Sequence, residues 1–65
     1  MTLGEERVIT TFNPSQKPEV NFIKERTAEL IDYCEQIKLP NPRWAALAQT
    51  AYEEAAMWAV KAATA

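Results

Sequence analysis

Two phenylalanines and three basic residues near the start of the chain have the chemistry to bind a nucleotide. Phe12 and Phe22 lie close in sequence to Lys17, Lys24 and Arg26. An aromatic face can stack on a base, and a lysine or an arginine can contact a phosphate. A structural role explains the same residues: each phenylalanine packs on a helix, and the basic side chains balance neighbouring glutamates. Residue types alone favour this second interpretation.

Arg43 and Thr50 form a second candidate group further along the chain. They are about two helical turns apart, so a helix places both on one side. Three copies of the chain around an axis would turn this pair into a ring of hydrogen-bond donors. In a single copy the pair is an ordinary piece of helix surface.

The residues that usually carry out catalysis lack the partners that they need. Ser15 and Cys34 have no histidine to act as their base, because the chain contains none. Glu53 and Glu54 diverge by about 100° on a helix and are expected on a solvated face. Gly4 alone cannot form a phosphate-binding loop. We therefore expect no catalytic residue, no metal and no cofactor, and Cys34 is predicted to be a small buried side chain.

Two long helices are predicted to position these groups, over residues 18–38 and 42–63. Pro18 suits a first helical turn, and Asn41 followed by Pro42 is a typical helix start. The first helix has a heptad stripe of Val20, Ile23, Thr27, Leu30, Cys34 and Ile37, widened by Ile31. The second has a stripe of Trp44, Ala48, Ala51, Ala55, Trp58 and Ala62. The two stripes, separated by the turn "LPNP", predict an all-α protein built as an antiparallel helical hairpin.

Residues 1–17 are predicted to form an N-terminal arm that ends in the turn-rich segment "FNPSQKP". Within the arm, "LGEER" can form a helical turn, and the β-branched "RVITTF" can be extended. Arm and hairpin together make a single domain over residues 1–65, since a chain of this length allows no more.

The second helix carries more apolar surface than one helical partner can cover. Further apolar side chains lie outside its stripe: Leu47, Tyr52, Met57, Ala59 and Val60. A chain of 65 residues buries only about 60% of its unfolded surface, and one cysteine cannot form an internal disulfide. We therefore expect the chain to form a homo-oligomer, with this helix packed on copies of itself.

The charge of the chain narrows the range of partners. Seven basic and nine acidic residues give a net charge of −2, which disfavours DNA, RNA and anionic membranes. A small anionic ligand held by a few lysines and arginines remains compatible with this charge. The first residues, "MTLGEERVITTF", are not typical of a signal peptide, and a cytoplasmic location is expected.

Two segments of the chain resemble a known family. "IKERTAELID", followed by "LAQTAYEEAAMWAVKAATA", is similar to the small phage sponge proteins that share the anti-CBASS/anti-Thoeris hairpin domain. The resemblance runs from about Phe12 to the C-terminus. It implies a phage protein that forms a compact helical hexamer. It also implies that the protein binds cyclic oligonucleotides made by bacterial immune cyclases, without cleaving them.

The resemblance also implies how cyclic dinucleotides are held. In the family they lie between interlocked protomers, against an aromatic residue of the N-terminal loop and a lysine of the first helix. The matching residues here are Phe12 and Lys24. Family members often have tyrosine at the aromatic position, so phenylalanine keeps the stacking and loses the hydroxyl. Arg7 and Asn13 of the arm complete the candidate contacts.

A separate site for cyclic trinucleotides is implied on a three-fold axis of the family assembly. It uses an arginine and a threonine of the second helix, which match Arg43 and Thr50. Some relatives bind isomers of cyclic ADP-ribose instead, so the resemblance leaves the class of ligand open.

Three functions therefore remain to be compared. The first is a sponge that sequesters cyclic nucleotides in the cytoplasm of the infected host and so blocks CBASS-type signalling. The second is a helical adaptor or structural protein that binds another protein through its apolar second helix. The third, an enzyme that degrades the signal, finds no support in the residues of the chain.

Overall fold

The computed structural model describes residues 1–65 and contains three α-helices and no strand. They are α1 (Leu3–Val8), α2 (Pro18–Gln36) and α3 (Pro42–Thr64). The prediction of an all-α chain is confirmed, and the "LGEER" segment forms most of α1. The extended conformation predicted for "RVITTF" is wrong, because this segment begins inside α1 and continues into a turn.

Helix α1 is short, and its N-terminus is held by a capping box. The backbone N–H of Glu5 donates to the hydroxyl of Thr2 at 3.1 Å, and the N–H of Thr2 donates to the Glu5 carboxylate at 2.7 Å. These hydrogen bonds lower the pKa of Glu5. The helix ends at Ile9, whose φ of 54° places this β-branched residue in the left-handed region.

Gly4 brings α1 into close contact with α2. A Cβ atom at this position would overlap the backbone carbonyl of Ala28, so only glycine allows the approach. The Gly4 N–H donates to the carboxylate of Asp32 at 2.7 Å, and this bond fixes the start of α1 against α2. The predicted arm is therefore a packed part of the fold.

Helices α2 and α3 form the antiparallel hairpin. Contacts between the start of α2 and the end of α3 show the direction: the Lys17 ammonium donates to the carbonyl of Ala63 at 3.0 Å. The apolar core is small and consists of Val8, Ala28, Ile31 and Ala56. Because two of these four residues are alanines, the helices can approach closely at this point.

Gln49 of α3 is buried against α2 with its amide group satisfied. Its Nε2 donates to the carbonyl of Ile31 at 3.1 Å and to the Glu35 carboxylate at 2.9 Å. The bond to the amide lowers the pKa of Glu35. Asn41 lies at the predicted N-cap of α3, but its side chain makes no capping hydrogen bond.

The heptad stripe predicted for α3 is not the face that packs on α2. The buried residues are Ala45, Gln49 and Ala56, one position further along, whereas Trp44 and Trp58 are exposed. An Ala-rich helix that is apolar nearly all round presents both stripes, so periodicity alone could not choose between them. The hairpin selects the stripe of smaller side chains, because tryptophans would hold α3 away from α2.

The stripe of α2 is also rotated relative to the prediction. Val20, Ile31 and Cys34 are buried as expected, but Leu30 and Ile37 are exposed. Lys24 and Ala28 take part in the buried face instead. The physical reason is that α2 packs against α1 as well as α3, so its buried face includes the side that contacts α1.

The single chain buries little of its apolar surface. Ten of 65 residues are buried, and thirteen large apolar side chains are exposed. So small a core leaves α3 with a wide apolar face toward solvent. None of the three helices combines the length and hydrophobicity that crossing a bilayer requires.

Candidate functional site

Lys24 is a buried cation without an acidic partner. It lies two turns into α2, on the face that packs against the arm, and is 8% exposed. Its ammonium donates to the carbonyl of Ile9 at 2.9 Å and to the carbonyl of Phe12. None of the four ion pairs of the chain includes this residue.

Burial lowers the pKa of Lys24 below its usual value, because the charged form loses its hydration. The two carbonyl groups partly compensate, but they are dipoles and do not cancel the charge. A positive charge in a partly desolvated position interacts with an anion more strongly than a charge on the open surface. An anion beside Lys24 would therefore supply the negative charge that no acidic residue of the chain provides to this lysine.

The arm places Phe12 beside this cation. The left-handed conformation of Ile9 ends α1, and the Ile9 carbonyl accepts both from Lys24 and, at 3.0 Å, from the N–H of Phe12. Phe12 is 60% exposed as a residue, and the Lys24 ammonium lies 5.5 Å from the centroid of its ring. The ring keeps an open face for stacking while the lysine below it remains buried.

Asn13 lies in a hydrogen-bonded loop next to Phe12. Its Nδ2 donates to the carbonyl of Lys17 at 3.1 Å and to the side-chain oxygen of Asn21 at 2.9 Å. Its own side-chain oxygen accepts from the Ser15 hydroxyl at 2.9 Å. These bonds hold the loop between the arm and the start of α2.

Two clefts meet at Lys24. The first has a volume of about 230 Å³ and is lined by Phe12, Asn13, Pro14, Ser15, Val20, Lys24, Val60 and Thr64. The second, of about 250 Å³, is lined by Val8, Ile9, Lys24, Glu53, Ala56, Met57 and Val60. An aromatic ring, an amide and a cation thus surround the first cleft, and the second is mainly apolar. This set can stack a base and bind a phosphate.

Arg7 and Thr50 are close together but form a different group. The Arg7 guanidinium donates through Nη2 to the Glu53 carboxylate at 2.8 Å and to the Thr50 hydroxyl at 3.4 Å. This interaction joins α1 to α3. Glu53 was predicted on a solvated face, but it is half-buried because it holds Arg7. The charge of Arg7 is therefore already balanced.

Arg43 lies away from both of these groups. It is exposed in the first turn of α3, beside a shallow cleft of about 160 Å³ that it shares with the turn after α2. No ion pair of the chain includes it. The structure therefore brings together Phe12, Asn13 and Lys24, pairs Arg7 with Thr50, and leaves Arg43 at the opposite end of the hairpin.

Arg26 has the structural role that was predicted for the basic residues, which is to balance neighbouring glutamates. Its guanidinium contacts Glu29 at 2.6 Å and Glu25 at 3.9 Å. Lys17 is also occupied, since its ammonium donates to a carbonyl at the end of α3. Only Lys24 among the three basic residues of this segment is both buried and bonded to backbone carbonyls of the arm alone.

The largest cavity is not a candidate for an anionic ligand. It measures about 470 Å³ and lies between α1 and α2. Glu5, Glu25, Glu29 and Asp32 line it, with Arg26 as its only basic residue. Such a surface repels phosphate groups.

Three contributors to the site were missed by the sequence reasoning. The Ile9 carbonyl binds Lys24, Val60 lines both clefts, and Gly4 lets α1 dock where it can support this loop. Gly4 offered a signal, because it is the one glycine of the chain. The carbonyl of Ile9 offered none, since its direction depends on a backbone conformation that is unusual for isoleucine.

Comparison with known proteins identifies the family. The profile of the Acb2/Tad1 hairpin domain matches residues 5–64, which is nearly the whole chain. Comparisons with curated proteins and with solved structures give no match. The chain therefore belongs to the Acb2/Tad1 hairpin domain family, whose hairpin is a sponge-type binding domain and not a catalytic one.

Proposed function

We propose that this protein is a homo-oligomeric sponge for cyclic dinucleotides such as 3′,3′-cGAMP, and for cyclic trinucleotides. It binds these messengers without cleaving them and so blocks CBASS-type signalling in the cytoplasm of a phage-infected cell. The observation that carries the proposal is the buried ammonium of Lys24, which has no acidic partner and lies beside the open ring of Phe12. Membership of the sponge family supports it.

In the proposed complex, a phosphate of the ligand contacts Lys24 and a base stacks on Phe12. Asn13 lies at the same cleft, and its side-chain oxygen, which accepts from Ser15, can accept one further hydrogen bond from the sugar or the base edge. A charge-assisted hydrogen bond contributes about 1.5–3 kcal/mol, and stacking of one base contributes about 1–3 kcal/mol. Two such contacts for each half of the ligand are enough for tight binding, provided that the arm is already in place.

The size of the cleft favours a site shared by two copies of the chain. Pockets that enclose a small ligand usually measure about 300–1,000 Å³, and the Phe12 cleft measures about 230 Å³. One copy therefore encloses only part of a cyclic dinucleotide. Two copies would supply two lysines for the two phosphates, which overcomes the acidic net charge of the chain.

Sequestration without cleavage follows from the groups at the cleft. Two hydroxyl groups line the cleft: that of Ser15 donates to the Asn13 amide oxygen, and that of Thr64 donates to the Val60 carbonyl at 2.8 Å. The chain has no histidine to activate either of them. The Lys24 nitrogen donates hydrogen bonds to two backbone carbonyls, so it is engaged as a donor and is not placed to act as a general base. Binding then lowers the free messenger by mass action alone.

We assign cyclic trinucleotides to a second site at Arg43 and Thr50. Both side chains are exposed on α3, and Arg43 has no acidic partner in its own chain. Arg7 donates a hydrogen bond to the same threonine, so Arg7 lies at the edge of the proposed second site. We expect Arg43→Ala to weaken trinucleotide binding more than dinucleotide binding, as measured by calorimetry with each ligand. An equal loss for both ligands would contradict two separate sites.

The proposal is tested by calorimetric titration of the purified protein with 3′,3′-cGAMP at physiological salt. We expect tight binding with about one ligand for every two subunits, because each cleft encloses only part of the ligand. Chromatography of the heated complex should recover the ligand intact. Absence of binding to cyclic dinucleotides, trinucleotides and cyclic ADP-ribose isomers would reject the sponge and favour a protein-binding adaptor. Cleaved ligand would reject sequestration.

A further inference from the structure

The second cleft at Lys24 differs in chemical character from the Phe12 cleft. Its walls are formed by apolar residues from the end of α1 and from α3: Val8, Ile9, Ala56, Met57 and Val60. The only charged side chains that line it are those of Lys24 and Glu53. Glu53, Met57 and Val60 follow one another at spacings of four and three, so they lie along one face of α3. A cleft of this kind can enclose an apolar ring and hydrogen-bond to its edge.

One oxygen of the Glu53 carboxylate has no partner in the chain. Arg7 donates twice to Oε2, from Nη2 at 2.8 Å and from Nε at 3.3 Å, whereas Oε1 accepts no hydrogen bond. The ion pair holds the carboxylate in place and balances its charge, so Glu53 repels a phosphate less than an unpaired glutamate would. Glu53 therefore brings a positioned hydrogen-bond acceptor to the cleft.

We infer that this cleft binds one base of the ligand and that Glu53 makes it selective for guanine. The inference deepens the proposed function and rests on it for the class of ligand. A phosphodiester carries a nucleoside on each side, and Lys24 lines both clefts. With a phosphate at Lys24 and one base on Phe12, the second cleft is the place for the other base of the cyclic dinucleotide.

The Watson–Crick edge of guanine fits an acceptor such as the Glu53 carboxylate. Guanine presents two neighbouring donors on this edge, N1–H and the 2-amino group, and an ionised carboxylate only accepts. Adenine presents one amino donor beside the lone pair of N1, which a carboxylate repels. A site built to hydrogen-bond one ligand discriminates against an analogue that lacks the matching groups. Glu53 should therefore favour guanine over adenine.

Met57 supplies apolar surface for either base. It is 63% exposed and lies one turn after Glu53, on the same face of α3. The unbranched thioether of a methionine makes favourable contacts with aromatic rings, whatever groups the rings carry at their edges. Met57→Ala should therefore weaken the binding of guanine-containing and adenine-containing ligands by the same factor and leave the selection to Glu53.

Titration calorimetry with cyclic di-GMP and cyclic di-AMP tests the selection. Wild type should bind cyclic di-GMP about tenfold more tightly, which corresponds to one additional charge-assisted hydrogen bond. In Glu53→Gln the amide oxygen can still accept from Arg7, which turns the amide nitrogen toward the donors of guanine. The preference should then be lost or reversed. The matched control is Glu54→Gln, which removes the same charge from an exposed neighbour outside the cleft and should keep the preference.

A change in the ligand repeats the test without changing the protein. Cyclic di-IMP keeps N1–H and lacks the 2-amino group, so wild type should bind it more weakly than cyclic di-GMP. Each comparison is a ratio of two affinities for one protein preparation, so a partial loss of folded protein does not affect it.

The outcomes separate this inference from the sponge itself. Wild type that binds cyclic di-GMP no more tightly than cyclic di-AMP or cyclic di-IMP would overturn the selection by Glu53 and leave the sponge intact. A preference for cyclic di-GMP that persists in Glu53→Gln, or disappears equally in Glu54→Gln, would do the same. Absence of binding to all three ligands would reject the dinucleotide sponge and this inference together.

Discussion

Two aromatic–cation pairs in this chain look alike in sequence and differ in their surroundings. In the first, the Lys24 ammonium lies 5.5 Å from the Phe12 centroid, and in the second, the Arg26 guanidinium lies 5.6 Å from that of Phe22. Phe12 and Phe22 are 60% and 62% exposed. Lys24 is buried and bonded to backbone carbonyls, whereas Arg26 is on the surface between glutamates.

The comparison leads us to expect that the partners of each cation determine how well it binds a phosphate. A phosphate at Arg26 would have to compete with the carboxylates of Glu29 and Glu25 and would be repelled by them. A phosphate at Lys24 competes only with neutral carbonyl groups, in a less hydrated environment. We therefore expect the two pairs to differ in phosphate binding, although their cation-to-ring distances are nearly equal.

Among the variants that separate the two pairs, Gly4→Ala is expected to have the largest effect. The added Cβ would overlap the Ala28 carbonyl and force α1 away from α2, which costs about 3 kcal/mol of unfolding free energy. The first pair depends on α1 for the carbonyl of Ile9, so it would lose its support, while the Phe22 pair would not. Urea denaturation measures the stability, and amide hydrogen exchange over residues 3–17 measures the docking of the arm.

Glu6→Ala is the matched control for that change. It also places alanine in α1, but Glu6 is exposed, so stability should change by no more than about 0.5 kcal/mol. If Gly4→Ala proved as mild as Glu6→Ala, the close contact between α1 and α2 would be refuted.

Replacing each phenylalanine separates the two pairs by their ligand binding. Phe12→Ala should weaken cyclic dinucleotide binding by about 2 kcal/mol, or roughly thirtyfold, since one base loses its stacking partner. Phe22→Ala removes a ring of equal exposure and should leave the affinity unchanged. Calorimetry with one ligand preparation gives both values. A larger loss of affinity from Phe22→Ala than from Phe12→Ala would mean that the ligand binds at the Phe22 pair, which would contradict the proposed site.

A smaller effect should appear in the pH dependence of binding. Burial lowers the pKa of Lys24 from its ordinary value of 10.5, so the residue loses its proton at a lower pH than a surface lysine. Affinity for a cyclic dinucleotide should then fall as the pH rises toward 10.5, by about tenfold for the loss of one charge-assisted contact. Cyclic di-AMP is the appropriate ligand, because adenine does not ionise in this range.

Lys24→Arg supplies the control for that titration. An arginine stays protonated throughout, so any affinity that this variant keeps should be independent of pH in the same range. A parallel decline in wild type and Lys24→Arg would show that another group causes the pH dependence.

Much of the fold could be predicted from the sequence. The two prolines at helix starts and the breaking turn "LPNP" placed α2 and α3, and Cys34 is buried as predicted. The faces of these helices could not be predicted as well. Trp44 and Trp58 dominate the apolar pattern of α3, but alanines fit the narrow space beside Ala28, so the less conspicuous stripe packs inside.

The candidate site could be predicted only in part. Residue types and the family resemblance selected Phe12 and Lys24, and the structure places both at one cleft with Asn13. The pairing of Arg26 with its neighbouring glutamates agrees with the structural role predicted for the basic residues. Nothing in the sequence indicated that Lys24, in the same charged segment, would be buried instead. That difference arises from the backbone of the arm, which turns at Ile9 and brings its carbonyl to Lys24 alone.

The most direct test of the account compares Lys24→Ala with Arg26→Ala in calorimetric titrations with 3′,3′-cGAMP. Both variants remove one positive charge from α2, and size-exclusion chromatography of each variant tests whether it keeps the wild-type assembly. We expect Lys24→Ala to weaken binding by about 1.5–3 kcal/mol, or more than tenfold, and Arg26→Ala to leave it unchanged. Wild-type affinity in Lys24→Ala, or an equal loss in both variants, would contradict the central role of the buried lysine.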